Sequence, residues 1–256
     1  MKAICLSSIV PIRAEAADEA EIMTQLLFGD TFEILKTHNQ WNYIKASYDN
    51  YEGWIDEKVI LPLSEENFKH YNESPAYYTS GIINEVELEK SGKFLLPMGS
   101  ILPDFNPENG QFKMQEEQGI FKGEYITGKH SKEKILEFAL TYMNAPYLWG
   151  GKTHFGLDCS GLTQMTYKMC GYNLLRNAKD QATQGISIKL SEAEPGDLAF
   201  FTNKNGKVIH VGFLLGNGKI FHSHGNAHID PIDEKGIWST KFKRYSHQLS
   251  DVRRII

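Results

Sequence analysis

The chain has 256 residues, of which 41% are hydrophobic, so it can bury a substantial core in one or two domains. Its formal net charge of −5 argues against a basic face for nucleic acid and against a patch for anionic membranes. No run of about 18 apolar residues is present, so no transmembrane helix is expected. Cys5, Cys159 and Cys170 do not make a disulfide framework, and Cys5 and Cys170 are expected to be small buried hydrophobic residues.

The N-terminal segment allows two interpretations. Lys2 and the apolar residues 3–10 imitate a short signal peptide, but only one basic residue precedes them and Ala14-Glu15-Ala16 is a weak cleavage site. Residues 3–12 also fit a first β-strand. We therefore expect a cytoplasmic protein, with export to the periplasm or the cell surface as the alternative.

Residues 1–61 predict a small domain of short strands. Three alternating runs are separated by His38-Asn39-Gln40 and Asp49-Asn50, which are turn residues. The runs are 32–36, 41–45 and 53–55. Together with the Gly-Asp pair before the first run and the Gly-Trp pair that begins the last, they resemble a bacterial SH3 domain; the alternative is any small β-barrel.

Residues 62–128 predict a linker followed by more β-structure. The polar residues 62–74 are expected to form a linker or a short helix, and residues 75–128 to form a second SH3-like barrel. Ser131 then begins a predicted helix that ends before Pro146. Its apolar stripe contains Ile135, Phe138, Ala139 and Tyr142.

Cys159 lies where a thiol can be activated. It opens a predicted helix, and Asp158 before it is a good N-cap residue. Unpaired backbone N–H groups and the positive end of the helix dipole favour the thiolate, so we expect a lowered pKa for this cysteine. A histidine within reach can then act as general base and acid, and the Cys159 N–H can stabilise an oxyanion.

Two histidines occur in a predicted hairpin downstream. The apolar runs 208–215 and 219–224 flank Gly216-Asn217-Gly218, a hairpin signal. A two-residue Asn-Gly turn alone would pair position 213 with 222 and place His210 and His222 on opposite faces. A three-residue loop would pair Gly212 with His222 and place both histidines on one face. A Cys–His–His site requires the second register.

Three motifs follow one another in the second half of the chain. They are Asp158-Cys159-Ser160-Gly161, Glu-Pro-Gly-Asp-Leu-Ala-Phe-Phe at 194–201, and His210-Val211-Gly212, with His222 twelve residues after His210. Over residues from about 130 to 256 this ordered set resembles the NlpC/P60 family of cell-wall cysteine peptidases. The resemblance implies a papain-like fold and hydrolysis of peptidoglycan stem peptides, usually at γ-D-glutamyl–diamino-acid bonds. It also implies Cys159 as nucleophile, His210 as general base and His222 as the residue that orients it, without metal or cofactor.

We therefore predict an α+β protein with a papain-like NlpC/P60 catalytic domain at 129–256. Two small SH3-like β-barrels precede it, at 1–61 and, with the linker, at 62–128. This arrangement resembles dipeptidyl-peptidase VI-type enzymes, which cleave free murein peptides that begin with L-alanine and use the first SH3 domain to close the substrate site. The third substrate residue stays open between meso-diaminopimelate and L-lysine, and we expect a monomer.

The same resemblance implies substrate-binding residues in both parts of the chain. Glu15 and Tyr51 would hold the substrate amine, although Glu15 can also be a solvated acid and Tyr51 barrel core. Tyr147 would donate to the oxyanion and Trp149 would form a wall of the alanine pocket, although both can instead pack under the helix. The last two candidates lie beside the nucleophile, where Asp158 can contact the amine or only cap the helix, and Ser160 can bind the D-glutamate carboxylate.

One segment departs from the pattern. After Arg176, the group has Asp-Ser where this chain has Asn177-Ala178. A neutral amide can accept a hydrogen bond from an ammonium group but contributes no charge, so recognition of the amine and α-carboxylate is left open. Three alternatives also remain: a zinc site on His222, His224 and His228, a non-catalytic wall-binding protein, and an amidase with the same fold.

Overall fold

A computed structural model describes residues 1–256 and contains two compact units, Met1–Gly128 and Lys129–Ile256. No helix in either unit has the length and apolarity needed to cross a membrane. The three cysteines are free and buried. Cys5 and Cys170 are fully buried, which confirms the prediction that they are core residues.

The first unit is almost entirely β-structure. Its elements are β1 (Lys2–Cys5), β2 (Ile9–Arg13), β3 (Ile22–Leu27), β4 (Thr31–His38), β5 (Trp41–Ala46), β6 (Glu52–Asp56), β7 (Ile60–Leu63), α1 (Glu65–Glu73), β8 (Tyr77–Thr79), β9 (Ile83–Leu88), β10 (Gly92–Pro97), β11 (Gln111–Met114), β12 (Glu117–Phe121) and β13 (Tyr125–Thr127). One sheet has the order β3-β2-β6-β5-β4-β1-β7, a second has the order β10-β9-β12-β11, and β13 pairs with β8.

Two predictions for this unit change in detail. The expected strand at 3–12 is wrong, because the chain bends after Cys5 and forms two strands with different partners. The first, β1, pairs with β4 and β7, whereas β2 pairs with β3 and β6. Of the two predictions for 62–74, the helix is correct: Ser64 begins α1 and accepts a hydrogen bond from the Asn67 N–H at 3.1 Å.

The two sheets of the first unit share a hydrophobic cluster. Ile4 and Phe28 of the first sheet region pack with Val86 and Phe112 of the second. A separate cluster that includes Ile44 fills the first sheet. The division of residues 1–128 into two SH3-like domains stays a prediction.

The second unit combines a buried helix with a strongly curved sheet. Its elements are α2 (Lys132–Thr141), β14 (Lys152–Thr153), β15 (Gly156–Leu157), α3 (Cys159–Met169), α4 (Ala178–Gln181), β16 (Ile186–Ile188), β17 (Leu198–Thr202), β18 (Val208–Gly216), β19 (Lys219–His224), β20 (Asn226–Asp233), β21 (Gly236–Ser239) and β22 (Arg244–Arg254). The sheet order is β16-β22-β17-β18-β19-β20-β21, and β21 also pairs with β22, so the strands from β17 to β22 form a closed ring.

Helix α3 is the buried centre of this unit. Every residue of α3 is buried, and the helix contacts β18 and β19 of the sheet as well as α2. The predicted helix after Ser131 is confirmed as α2, with Ile135, Phe138 and Ala139 buried. A helix buried on all sides fixes its own first turn tightly, and that turn carries Cys159.

Candidate active site

Cys159 is the first residue of α3. Asp158 is the N-cap, and its Oδ1 accepts a hydrogen bond from the Gly161 N–H at 2.7 Å, as the sequence predicts. The Cys159 residue is 6% exposed, so the thiol lies just below the surface. The backbone N–H groups of Ser160 and Val211 point at its sulfur, and the second of these places the thiol beside β18.

The β18–β19 hairpin has the register that a Cys–His–His site requires. Gly212 pairs with His222, which confirms the predicted register. The loop differs from the predicted three-residue loop. Asn217 and Gly218, both with positive φ, form a two-residue turn between Gly216 and Lys219. A bulge between Leu214 and Gly216 then shifts the pairing by one residue and returns both histidines to one face.

Gly212 keeps the two histidines close. A Cβ atom at this position would lie 2.8 Å from Cβ of His222 and 2.9 Å from the carbonyl oxygen of Phe221. Any side chain would therefore push β19 away. Because glycine occupies the position, Nε2 of His210 approaches Nδ1 of His222 to 2.9 Å, a hydrogen-bond distance.

If His210 is the base, this contact decides which nitrogen of each ring carries the proton. To act as a base towards the thiol, His210 must keep Nδ1 free, because Nε2 already faces His222. Its proton then sits on Nε2 and donates to Nδ1 of His222. His222 in turn carries its proton on Nε2. That nitrogen is buried, and its nearest acidic group is Oδ2 of Asp230 at 3.5 Å, beyond a well-formed hydrogen bond.

Asp230 follows His210 and His222 as the third group in this series of contacts, and the sequence analysis did not single it out. It lies on β20, is 3% exposed, and accepts from the Thr240 N–H and hydroxyl at 3.3 and 2.9 Å. Burial would raise the pKa of Asp230, but contacts from His222 and Thr240 outweigh it and lower the pKa, so the carboxylate stays charged. Strand alternation could have pointed to Asp230. His228 on β20 lies opposite His222 on β19, and Asp230 lies two residues farther along β20 on the same face.

His247 is a second residue that the sequence analysis missed. It lies on β22, and its ring stacks on that of His210 with centroids 4.1 Å apart and an angle of 21°. Burial lowers the pKa of His247 to about 3, so the stacked ring is neutral and covers one face of the base. No local pattern marks this residue, because it approaches His210 only when β22 pairs with β17, the neighbour of β18 in the sheet.

Burial controls the charge state of the nucleophile and its base. It raises the pKa of the Cys159 thiol to about 12, with a smaller contribution from the charge of Asp158. The expectation of a lowered thiol pKa is therefore not met, because desolvation outweighs the N–H groups at the helix start. Burial, followed by the nearby histidines, lowers the pKa of His210 well below 6.5. The thiol and the imidazole are therefore both neutral near pH 7.

A buried ion pair anchors the turn before Cys159. Arg176 binds both oxygens of Asp158, at 3.0 and 2.7 Å, and donates to Oγ of Ser160 at 2.8 Å. The Gly150 N–H and the Ser160 hydroxyl also donate to Asp158, at 2.8 and 3.1 Å. Arg176 thus ties both Asp158 and Ser160 to the start of α3.

Comparison with known proteins identifies the family. The NlpC/P60 family profile matches residues 144–247, and a profile described as the bacterial dipeptidyl-peptidase Sh3 domain matches residues 12–60. A Bacillus subtilis protein named "Gamma-D-glutamyl-L-lysine dipeptidyl-peptidase" is 31% identical over 79% of this chain and 72% of its own length. The chain belongs to the NlpC/P60 family and is a cysteine peptidase.

Two further similarities extend over more of the chain. "Dipeptidyl-peptidase 6" of Lysinibacillus sphaericus is 25% identical over 92% of this chain and 93% of its own length. The crystal structure of an NlpC/P60 family protein from Bacillus cereus matches with a TM-score of 0.84, covering 100% of this chain and 99% of that one. At 18% identity, this second match shows the fold alone, and it extends through both units.

Two aromatic residues of the NlpC/P60 unit lie just before the nucleophile. Tyr147 is half-buried; burial, then the nearby Cys159 and Asp158, raise the pKa of its phenol, which therefore keeps its proton as a hydrogen-bond donor. Trp149 is 57% exposed, so it is not packed under the helix as one interpretation held. Both side chains are available to a substrate, and their roles stay predictions.

The departure from the family pattern at Asn177-Ala178 has a visible structural role. Asn177 is the N-cap residue of α4, and its Nδ2 donates to Oδ2 of Asp180 at 2.9 Å. A carboxylate thus lies beside position 177, although it is three residues later in the chain than in the family pattern.

Glu15 and Tyr51 belong to the first unit. Glu15 is exposed in the connection between β2 and β3. Tyr51 is half-buried just before β6, and its N–H donates to Oδ1 of Asp49 at 3.0 Å. Their predicted contact with a substrate amine stays a prediction.

Proposed function

We propose that this NlpC/P60 peptidase hydrolyses the bond between γ-D-glutamate and a diamino acid in peptidoglycan stem peptides with a free N-terminal L-alanine, in cell-wall recycling. The observation that carries the chemistry is Cys159 at the start of α3, with its thiol against the backbone of Val211 on β18. His210 precedes Val211 on that strand and contacts His222 at 2.9 Å. Two relatives named as dipeptidyl-peptidases and the dipeptidyl-peptidase Sh3 profile support the substrate class.

The proposed reaction begins from the neutral pair. As the sulfur of Cys159 attacks the γ-carbonyl carbon, Nδ1 of His210 takes the thiol proton, and the Nε2 proton keeps its hydrogen bond to His222. The Cys159 N–H and the Tyr147 phenol stabilise the oxyanion. His210 then protonates the leaving amine, and water, activated by the same imidazole, hydrolyses the thioester and releases L-Ala-D-Glu.

Recognition of the substrate amine is the second part of the proposal. Glu15 and Tyr51 are proposed to bind the ammonium group, with Trp149 against the alanine side chain. Asp158 already accepts five hydrogen bonds from the protein, so its main role is to hold Arg176 and the start of α3. Ser160 is proposed to donate to the D-glutamate carboxylate after it exchanges its hydrogen bond to Asp158.

The test is mass spectrometry of products from L-Ala-γ-D-Glu-meso-diaminopimelate, its L-lysine analogue and their N-acetylated forms. Wild-type protein is compared with Cys159→Ala. Release of L-Ala-D-Glu from only the free-amine peptides, and no product with the variant, is expected. Equal cleavage of acetylated peptides would contradict the amine site at Glu15 and Tyr51. No cleavage of any peptide would favour an amidase or a wall-binding protein.

A further inference from the structure

Three potential metal ligands, His222, His228 and Asp230, form a cluster next to His210. His222 on β19 pairs directly with His228 on β20, and Asp230 is diagonal to His222 on the same face. One donor atom of each residue lies within 4.8 Å of the other two. Oδ2 of Asp230 is 3.1 Å from Nε2 of His228 and 3.5 Å from Nε2 of His222.

The contacts of His228 place its Nε2 against the Asp230 carboxylate, an arrangement that needs either a proton or a metal ion between the two. Its Nδ1 lies 2.8 Å from the carbonyl oxygen of Asn226, so that nitrogen carries a proton and donates. In the neutral ring, Nε2 then presents a lone pair to the Asp230 carboxylate at 3.1 Å. A cation between the two would remove this repulsion. A histidine that donates its other N–H to a backbone carbonyl is also the usual arrangement for a metal ligand.

The buried edge of His222 points into the same space. Its Nε2 is buried and has no hydrogen-bond partner that satisfies distance and angle. A tetrahedral Zn²⁺ ion with bonds of about 2.0–2.1 Å separates its ligand atoms by about 3.3 Å. The observed separations of 3.1 and 3.5 Å lie on either side of that value. Two imidazoles and one carboxylate are a donor set that suits zinc, with water as the fourth ligand.

We propose that His222, His228 and Asp230 bind one Zn²⁺ ion and that this ion inhibits the peptidase. The inhibition rests on the proposed function, whereas the binding does not. A neutral imidazole that binds zinc through Nε2 carries its proton on Nδ1, so His222 would donate to His210 instead of accepting from it. The His210 proton must then move to Nδ1, the nitrogen proposed above to accept the Cys159 proton, and the ring can no longer act as the base.

This site differs from two other ways in which zinc could bind. Zinc at the nucleophile would use Cys159 and His210, and the alternative drawn from the sequence uses His222, His224 and His228. His224 lies outside the three-residue cluster and is exposed. Each arrangement therefore loses its metal with a different substitution.

The experiment is calorimetric titration of Zn²⁺ into the full, metal-free chain, with the visible spectrum of bound Co²⁺ as a second readout. Wild type and Cys159→Ala are expected to bind one ion with the same Kd within about threefold, because the thiol is not a ligand. His228→Gln and Asp230→Asn are expected to weaken binding at least about tenfold, because each removes a ligand. His224→Gln is the matched control and is expected to bind like wild type.

Loss of binding in Cys159→Ala, or in His224→Gln with Asp230→Asn unaffected, would overturn the proposal. Circular dichroism of each metal-free variant shows whether it is folded. Peptide cleavage is then measured with and without Zn²⁺. The rate of wild type is expected to fall when Zn²⁺ is added and to recover with a chelator. For His228→Gln, the rate with Zn²⁺ is expected to equal the rate without it. If the metal-free protein cleaves no peptide, the proposed function fails while the titration still tests the site.

Discussion

Nε2 of His210 lies 2.9 Å from Nδ1 of His222, and this contact leaves Nδ1 as the nitrogen of His210 that is free to accept a proton. His222 is itself fully buried and has Asp230 behind it. The direction of the proton in one imidazole–imidazole contact therefore decides whether His210 can act as a base. The fold controls that direction from the far side of His222, where a carboxylate favours the productive arrangement and a metal ion would reverse it.

The pH dependence of the reaction follows from the neutral pair. Because burial lowers the pKa of His210 well below 6.5, kcat/KM is expected to hold as the pH falls through 6.5 and to drop only when the imidazole gains a proton at lower pH. The thiol has a pKa of about 12, so no ionisation of Cys159 is expected between neutrality and about pH 10. A pH profile of kcat/KM tests both the position of the acid limb and the absence of a thiol ionisation.

Circular dichroism at each pH is the control for acid unfolding. An acid limb centred at 6.5, together with a rise in rate near pH 8 from thiolate formation, would contradict the neutral pair.

Asp230→Asn is expected to lower kcat at least about tenfold and to leave KM nearly unchanged. The amide keeps the shape of the side chain but can donate to His222 Nε2, which favours the reversed proton arrangement in both rings. Thr240→Val is the matched control, since it removes a hydroxyl that donates to the other oxygen of Asp230 at 2.9 Å. Steady-state kinetics with the free-amine peptide check the prediction, and equal losses in both variants would contradict it.

Arg176→Met is expected to lower the free energy of unfolding by about 3–5 kcal/mol, because it leaves the Asp158 carboxylate buried without its partner. The two side chains are 2% and 7% exposed. Arg253→Met is the matched control: it breaks the Arg253–Asp251 pair, which is more exposed, and is expected to cost about 0–1 kcal/mol. Urea unfolding of both variants measures the difference, and similar costs would show that the buried pair is not needed.

Gly212→Ala is expected to destabilise the protein by about 1–3 kcal/mol and to reduce kcat, because its Cβ would meet His222 and force β18 and β19 apart. Gly206→Ala provides the control. Gly206 has a positive φ of 74° but no neighbouring atom within 4 Å, so alanine there costs about 1 kcal/mol of backbone strain and leaves kcat unchanged. Thermal unfolding and peptide kinetics check the pair, and a normal kcat in Gly212→Ala would contradict the role of close approach.

Local sequence patterns were sufficient for the catalytic helix and for the face that the histidines share. An aspartate cap before Cys159 and a glycine-rich turn between two apolar runs act over a few residues, so their geometry can be worked out from spacing. The same method gave the correct register for Gly212 and His222 but the wrong loop. A two-residue turn with a bulge gives the same strand pairing as a three-residue loop, so only the backbone conformation distinguishes the two loops.

The sequence by itself determined the family and predicted Cys159, His210 and His222 as its catalytic residues, because each depends on short-range spacing and residue type. The tertiary structure decided what surrounds them. Asp230 reaches His222 because β20 pairs with β19. His247 reaches His210 because β22, from the end of the chain, pairs with β17, the neighbour of β18 in the sheet. The tertiary structure also decided the charge state of the Cys159 thiol. The start of a helix favours a thiolate, but burial of Cys159 outweighs this effect. Burial is a property of the whole packed unit.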